Sequence, residues 1–269
     1  PIDEASARLS HKQLKTADLK KLTYKEINTR VSKLGKIGLD KYLIEHLPQL
    51  SKGRSIDVAK KLGKSYLKAM FAEKYYSRII KYYKEGIFTK KWGLSKEIQL
   101  YWTARSYIKR KNIPEGRRTI YKLERLNSNS KHLPILYDTF ASRYMLDSEI
   151  KKAQFWWNRL LEKFPKHRLA HKSAWRLAWS HKQNNNIKSA LVYLKRGLKT
   201  RIYKSEVKAK MLYWQGKLLK ESKQKKLAEK SFKRLIINKP NTYYGMRLLS
   251  EKDIPESILS AVKTRESKL

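Results

Sequence analysis

Cysteine is missing from all 269 residues. Its absence excludes disulfides, thiolate metal sites and cysteine nucleophiles, and leaves the compartment open. Glycine (10) and proline (7) are scarce, which leaves little punctuation and points to long regular elements. Acidic residues are also few, with 23 Asp and Glu against 64 Lys and Arg, a formal charge of +41. No apolar run approaches the roughly 18 residues needed to span a bilayer. There is no Gly-rich phosphate loop, no triad and no second pair of carboxylates, and the six histidines are scattered without ligand spacing. No metal site and no cofactor are expected.

What the chain does contain is hydrophobic content of 41% and aromatic content of 11%, enough to build a core. The charge admits two readings. It suits an anionic polymer: nucleic acid, an acidic membrane surface or a cell-wall glycan with its carboxylates. It also suits a Lys-rich composition spread over solvated helix faces, since Lys falls in nearly every block of ten residues.

The organising stretch runs from Ile98 to Ser250, because it repeats. Small residues pair twelve apart: Ala104 with Gly116, Ala141 with Ala153, Ala178 with Ala190, Gly216 with Ala228. Successive pairs lie 37, 37 and 38 residues apart. Four residues after each second member comes a large apolar one: Ile120, Trp157, Leu194, Phe232. Pro165 and Pro240 stand at matching places in two units. This is a slightly lengthened tetratricopeptide pattern. Two antiparallel helices cross closely only where small side chains let the backbones approach, and the large residue one turn on fills the gap to the next pair. Units of this kind cannot bury their apolar faces alone, so they stack. The expected fold is all-α: a right-handed α-superhelix of TPR-like helix pairs.

Residues 1–53 read as an N-terminal helical cap, with a loose stripe from Leu19 through Ile37 and a helix over 39–50 ending at Pro48. Residues 54–250 form the superhelical region, with clear repeats over 98–250. Within 54–95 another pair is expected, one helix carrying Ile56, Ala59, Leu62, Gly63, Tyr66 and Met70, the next Ala72, Tyr75, Tyr76, Ile79, Ile80 and Tyr83, closed by Gly86; the repeat register is not clean there. Tyr75, Tyr76, Tyr82 and Tyr83 beside Lys81 and Lys84 either stack sugars or bases or pack in the core. The same alternatives hold for Phe155-Trp156-Trp157 and for Trp175 and Trp179, which share one helix face; most belong to a core, with one or two left for a groove.

The array closes with Lys239-Pro240-Asn241-Thr242-Tyr243-Tyr244-Gly245. Here the chain resembles the soluble lytic murein transglycosylases of bacteria. Those proteins have an α-superhelical region with Tyr-Trp-x-small-Arg helix starts and a Thr-Tyr-Tyr-Gly turn near its end. Tyr101-Trp102-Thr103-Ala104-Arg105, Tyr213-Trp214-Gln215-Gly216-Lys217 and Thr242-Tyr243-Tyr244-Gly245 carry the resemblance, which covers about residues 98–269. It implies that residues 251–269 are the first helix of a truncated lysozyme-like catalytic domain. Asp253-Ile254-Pro255-Glu256 supplies an N-cap and an early proline for it. In the family this helix ends in Glu-Ser, and the Glu is the acid/base; the match assigns that role to Glu266. Its spacing from Ile258 and Val262 continues an apolar stripe, where desolvation would favour a protonated carboxyl.

The chain departs from the family by stopping two residues after Ser267, without the downstream Gly-Leu-Met-Gln segment and the rest of the lobe. The parent is therefore expected to cleave the MurNAc–GlcNAc bond of peptidoglycan, giving 1,6-anhydro-MurNAc products, with this chain alone inactive. Because the chain begins at Pro1 without Met, a removed export signal and a periplasmic or cell-envelope site are expected. The expected partner is the glycan strand, with Tyr243 and Tyr244 as candidate substrate contacts. The alternative is a basic helical-repeat scaffold for nucleic acid or protein, without catalysis. No polar pair recurs at fixed repeat positions as a base-reading code requires.

Overall fold

In the computed structural model, residues 21–200 and 205–251, with 256, 258 and 260, are described. They are all-helical: among them there are fourteen helices and no strand. They gather into two compact units, one ending at Leu136 and one starting at Tyr137. A helical superhelix is compatible with this content.

The first unit opens with α1 (Tyr24–Lys36) and α2 (Asp40–Leu50). A capping box starts α1: the Glu26 N–H donates to Thr23 Oγ1, and the Thr23 N–H donates to Glu26 Oε2 at 2.7 Å. Helix α2 runs two residues past Pro48, and the break falls at Ser51–Gly53. Next come α3 (Ile56–Ala72), α4 (Tyr76–Lys84), the short α5 (Ile87–Trp92), α6 (Lys96–Lys109) and α7 (Ile113–Leu126). Ala72 ends α3 rather than opening the next helix. Gly86, in the left-handed region with φ 70°, separates α4 from α5, as a residue without Cβ can do at no steric cost. The core of this unit joins Ile27, Leu47, Leu67, Met70, Ile79, Phe88 and Trp92, with Tyr82, Tyr83 and Trp102 packed against it.

The helix α8 (Leu133–Leu146) is followed by α9 (Ile150–Lys163), α10 (Ala170–Gln183), α11 (Ile187–Lys199), α12 (Ser205–Glu221), α13 (Lys225–Asn238) and α14 (Tyr243–Leu249). In the second unit Leu212, Tyr213, Phe232, Leu235, Ile236 and Ile258 share one core cluster.

Five helix pairs, α3/α4, α6/α7, α8/α9, α10/α11 and α12/α13, turn in the same way. Each turn has one residue at positive φ: Lys74, Lys111, Ser148, Asn185 and Lys223, at intervals of 37, 37, 37 and 38. The next N–H in each case reaches back to a carbonyl five residues earlier, over 2.8 to 2.9 Å (Tyr75 to Met70, Asn112 to Tyr107, Glu149 to Tyr144, Asn186 to His181, Gln224 to Leu219). This left-handed C-cap satisfies the last carbonyls of one helix while its successor residue becomes the N-cap of the next. A three-residue connection between packed helices makes each pair antiparallel. Second helices also pack on the first helix of the following pair, as α4 does on α6, α9 on α10 and α11 on α12.

The backbone period thus extends to α3/α4, where the small pair is missing. Leu67 and Ile79, both fully buried, stand where the later units have Ala104 and Gly116. In the other four pairs all the small residues and the large ones after them are buried. The approach is close at Gly216, where a Cβ would lie 2.3 Å from Phe232 Cε1.

Candidate functional site: aromatic and cationic surfaces of the first helices

Two positions on the first helix of each repeat are half-buried: two residues before the small residue and one after it. They are Trp102 and Arg105, Thr139 and Ser142, Arg176 and Trp179, Trp214 and Lys217. Helical spacing puts the two members of each set on one face. Three of the four sets pair a tryptophan with a cation; the other is Thr139 with Ser142.

In the second unit it forms a ring cluster. Trp175 stacks on Trp179 with centroids 5.4 Å apart and planes 23° apart, and Trp179 meets Trp214 edge-on at 4.9 Å. Lys182 Nζ lies 5.4 Å from the Trp179 centroid, and Lys210 Nζ sits 4.0 Å over Trp175. Burial holds the Lys210 ammonium below its usual pKa. Arg176 is committed elsewhere: it donates to Asp138 and to Ser142 and lies over the Trp157 ring. By contrast Trp156 and Trp157 belong to the core, whereas Phe155 is half-exposed and meets Trp156 edge-on at 5.4 Å.

Tyr243 and Tyr244 open α14. Thr242 Oγ1 accepts the Gly245 N–H at 3.2 Å, and a Cβ at Gly245 would meet the Pro240 carbonyl oxygen at 2.3 Å. The Thr-Tyr-Tyr-Gly sequence is thus a capped turn whose glycine is required by backbone approach. It presents Tyr243 outward, with Arg247 Nη1 donating to its hydroxyl at 3.1 Å, and lays Tyr244 against Tyr213 at 5.3 Å. Tyr213 donates its hydroxyl proton to Glu251 Oε1 at 2.6 Å, and Lys217 pairs with the same carboxylate. Burial, with the Glu251 contact and charge adding to it and Arg247 opposing, pushes the Tyr213 phenol up to about 12.

In the first unit the same face borders a groove of about 480 Å³ beside the start of α6. The His132 ring stacks on Tyr101 at 4.5 Å, and Trp102 lies edge-on to Tyr101 at 5.2 Å. Arg105 donates to the Tyr101 hydroxyl and covers Phe71 and Trp102. Glu97 accepts from the Ser130 hydroxyl and the Asn127 amide. Burial holds His132 below its usual pKa; Glu97 opposes this, while Lys131 and Lys64 add to it.

Glu266 lies outside the described residues, as does most of the helix expected over 257–269. Ile258 and Ser260 are helical, and Ile258 is fully buried in the core of the second unit. Sequence reasoning missed Lys182 and Lys210 over the tryptophans and the whole groove at His132. Only the offsets from the small residues would have pointed to the first; the groove draws on three separate stretches. Among the described residues no group of three or more His, Cys, Asp or Glu is placed to hold a metal ion. No helix among them is long and apolar enough to cross a membrane. Compared with known proteins, the chain matches no family model, and no curated protein sequence matches it.

Proposed function

We propose that this chain is the glycan-holding superhelical part of a lytic murein transglycosylase of the cell envelope. The observation that carries the reading is the half-buried face of the first helices, where three of the four sets, Trp102 with Arg105, Arg176 with Trp179 and Trp214 with Lys217, pair an indole ring with a cation. Flat rings accept the apolar faces of sugars, and ammonium and guanidinium groups accept the carboxylates that a muramyl strand carries. The Tyr101-Trp102 and Tyr213-Trp214 pairs, which fall within α6 and α12 rather than at their starts, and the Thr-Tyr-Tyr-Gly turn, on which the family resemblance rests, lie on or beside this face. In this reading Tyr243, with Arg247 at its hydroxyl, is one substrate contact.

The chemistry of the parent follows from the resemblance. Glu266 protonates the leaving glycosidic oxygen, then acts as base while the C6 hydroxyl of the muramyl sugar closes the 1,6-anhydro ring. One carboxyl suffices for both steps, unlike the two-carboxylate hydrolytic scheme.

The test is co-sedimentation with purified, insoluble peptidoglycan. The chain should pellet with it, and Trp179→Ala with Lys210→Ala should reduce the bound fraction several-fold while the helical circular dichroism stays unchanged. In the longest form made by the native source, Glu266→Gln should abolish release of anhydro-sugar products. A chain that ignores peptidoglycan and binds RNA or DNA instead would favour the scaffold reading, which the +41 charge supports.

A further inference from the structure

We propose that the groove beside the start of α6 holds one carboxylate-bearing sugar ring, making it a dedicated subsite within the glycan-binding reading, on which this inference rests. Three observations converge on an anion. Lys64 and Lys68 of α3 and Lys131 of the stretch before α8 all line it. There α6, a helix of 14 residues, begins at Lys96, and its N-cap Ser95 makes no side-chain cap bond. Ser95, Glu97 and Ile98 line the groove, so the positive end of the helix dipole borders it.

Three more observations specify what carries the anion. The His132–Tyr101 stack and the half-buried Trp102 give the groove ring surfaces, suited to the C–H face of a pyranose. His132, held neutral by burial, offers one ring donor and one ring acceptor, which matches a hydroxyl or an acetamido group. Glu97, fixed by Ser130 and Asn127, adds an acceptor for sugar hydroxyls. The same carboxylate disfavours a run of phosphodiesters, which would bring successive negative charges past it. A volume of about 480 Å³ suits a substituted sugar unit. Three lysines against the Glu97 carboxylate leave a net positive charge, which a ligand carboxylate partly neutralises.

The experiment is NMR titration of the His132 ring signals in the full chain, assigned with a His132→Gln variant. The probes are the GlcNAc–MurNAc disaccharide, its carboxamide and inorganic phosphate. The acid should shift the His132 signals saturably, and the carboxamide should bind about tenfold more weakly. Lys64→Gln with Lys131→Gln, both exposed positions, should remove that difference while the carboxamide affinity stays as it was. Equal binding of acid and carboxamide, unmoved His132 signals, or phosphate binding as tightly as the disaccharide would each overturn the proposal. Sedimentation with peptidoglycan separates the two ideas. If the chain still pellets but His132 does not respond, the subsite falls and the glycan reading stands; if the chain does not pellet, the glycan reading falls and with it the subsite as part of a strand-binding surface, even where His132 responds to the free acid.

Discussion

At the scale of single residues, the repeat depends on the absence of side-chain volume. Gly216 and Phe232 show this most directly. The phenyl ring occupies the place where a Cβ on residue 216 would go, so the two helices α12 and α13 approach to a distance set by glycine. Gly216→Ala should therefore destabilise the second unit by roughly 1–3 kcal/mol, the range for overpacking a filled core, measured as a lower midpoint in urea unfolding. Phe232→Leu in the same chain should recover part of that loss by vacating the contact. If alanine alone is neutral or stabilising, as its better helix propensity would suggest, close approach is not what holds residue 216 to glycine.

Between helices, the recurring device is a left-handed turn whose key residue is asparagine in one pair and lysine or serine in the other four. Lys74, Lys111 and Lys223 occupy a left-handed position normally held by glycine or asparagine. A non-glycine residue there costs roughly 1–2 kcal/mol, offset in part by the greater freedom glycine has when unfolded. Lys111→Gly and Lys223→Gly should each raise stability by about 1 kcal/mol in chemical unfolding. Asn185→Gly should gain less, because asparagine tolerates this conformation. The same turns explain what could and could not be read in advance. The alanine and glycine pairs were legible because close crossing leaves a steric mark in the sequence. Lysine in a left-handed turn leaves none, so the α3/α4 pair, with Leu67 and Ile79 at the crossing, hid a backbone period that it shares with the rest. Thr242 to Gly245 was legible as a turn, and its glycine is now accounted for by the Pro240 carbonyl. The groove at His132 was not legible, since α3, the start of α6 and residues 131–132 come together only through packing of the first unit.

Across the whole chain, charge decides two further outcomes. His46, His132, His167, His171 and His181 are all held below their usual pKa, chiefly by burial. Above the unfolded value of about 6.5 both states are neutral at these sites, and stability does not depend on them. As pH falls through that value the unfolded chain takes up protons that the folded chain does not, so stability drops. Thermal unfolding should show a midpoint that is level above about pH 7 and declines steadily toward pH 5.5. A midpoint that rises over that interval would mean that the histidines are better charged in the fold than outside it.

Salt separates nucleic acid from glycan among the partners that the +41 charge suits. A chain that neutralises 6–10 phosphates loses roughly 10³–10⁵ in affinity between about 50 and 200 mM salt, because each contact releases a counterion. A glycan strand carries its carboxylates far less densely, and ring stacking on Trp175, Trp179 and Trp214 does not depend on ions. Binding to peptidoglycan should accordingly weaken by less than about tenfold over that interval. The Debye length shrinks from roughly 14 to 7 Å over the same range, so the self-repulsion of 64 cations against 23 anions is screened as well, and the folded chain should become more heat-stable. Affinity nearly constant while stability rises is the signature expected of a basic array that grips by ring faces and a few placed cations. A collapse of affinity along the counterion-release slope would assign the charge to nucleic acid and remove the glycan from the first helices.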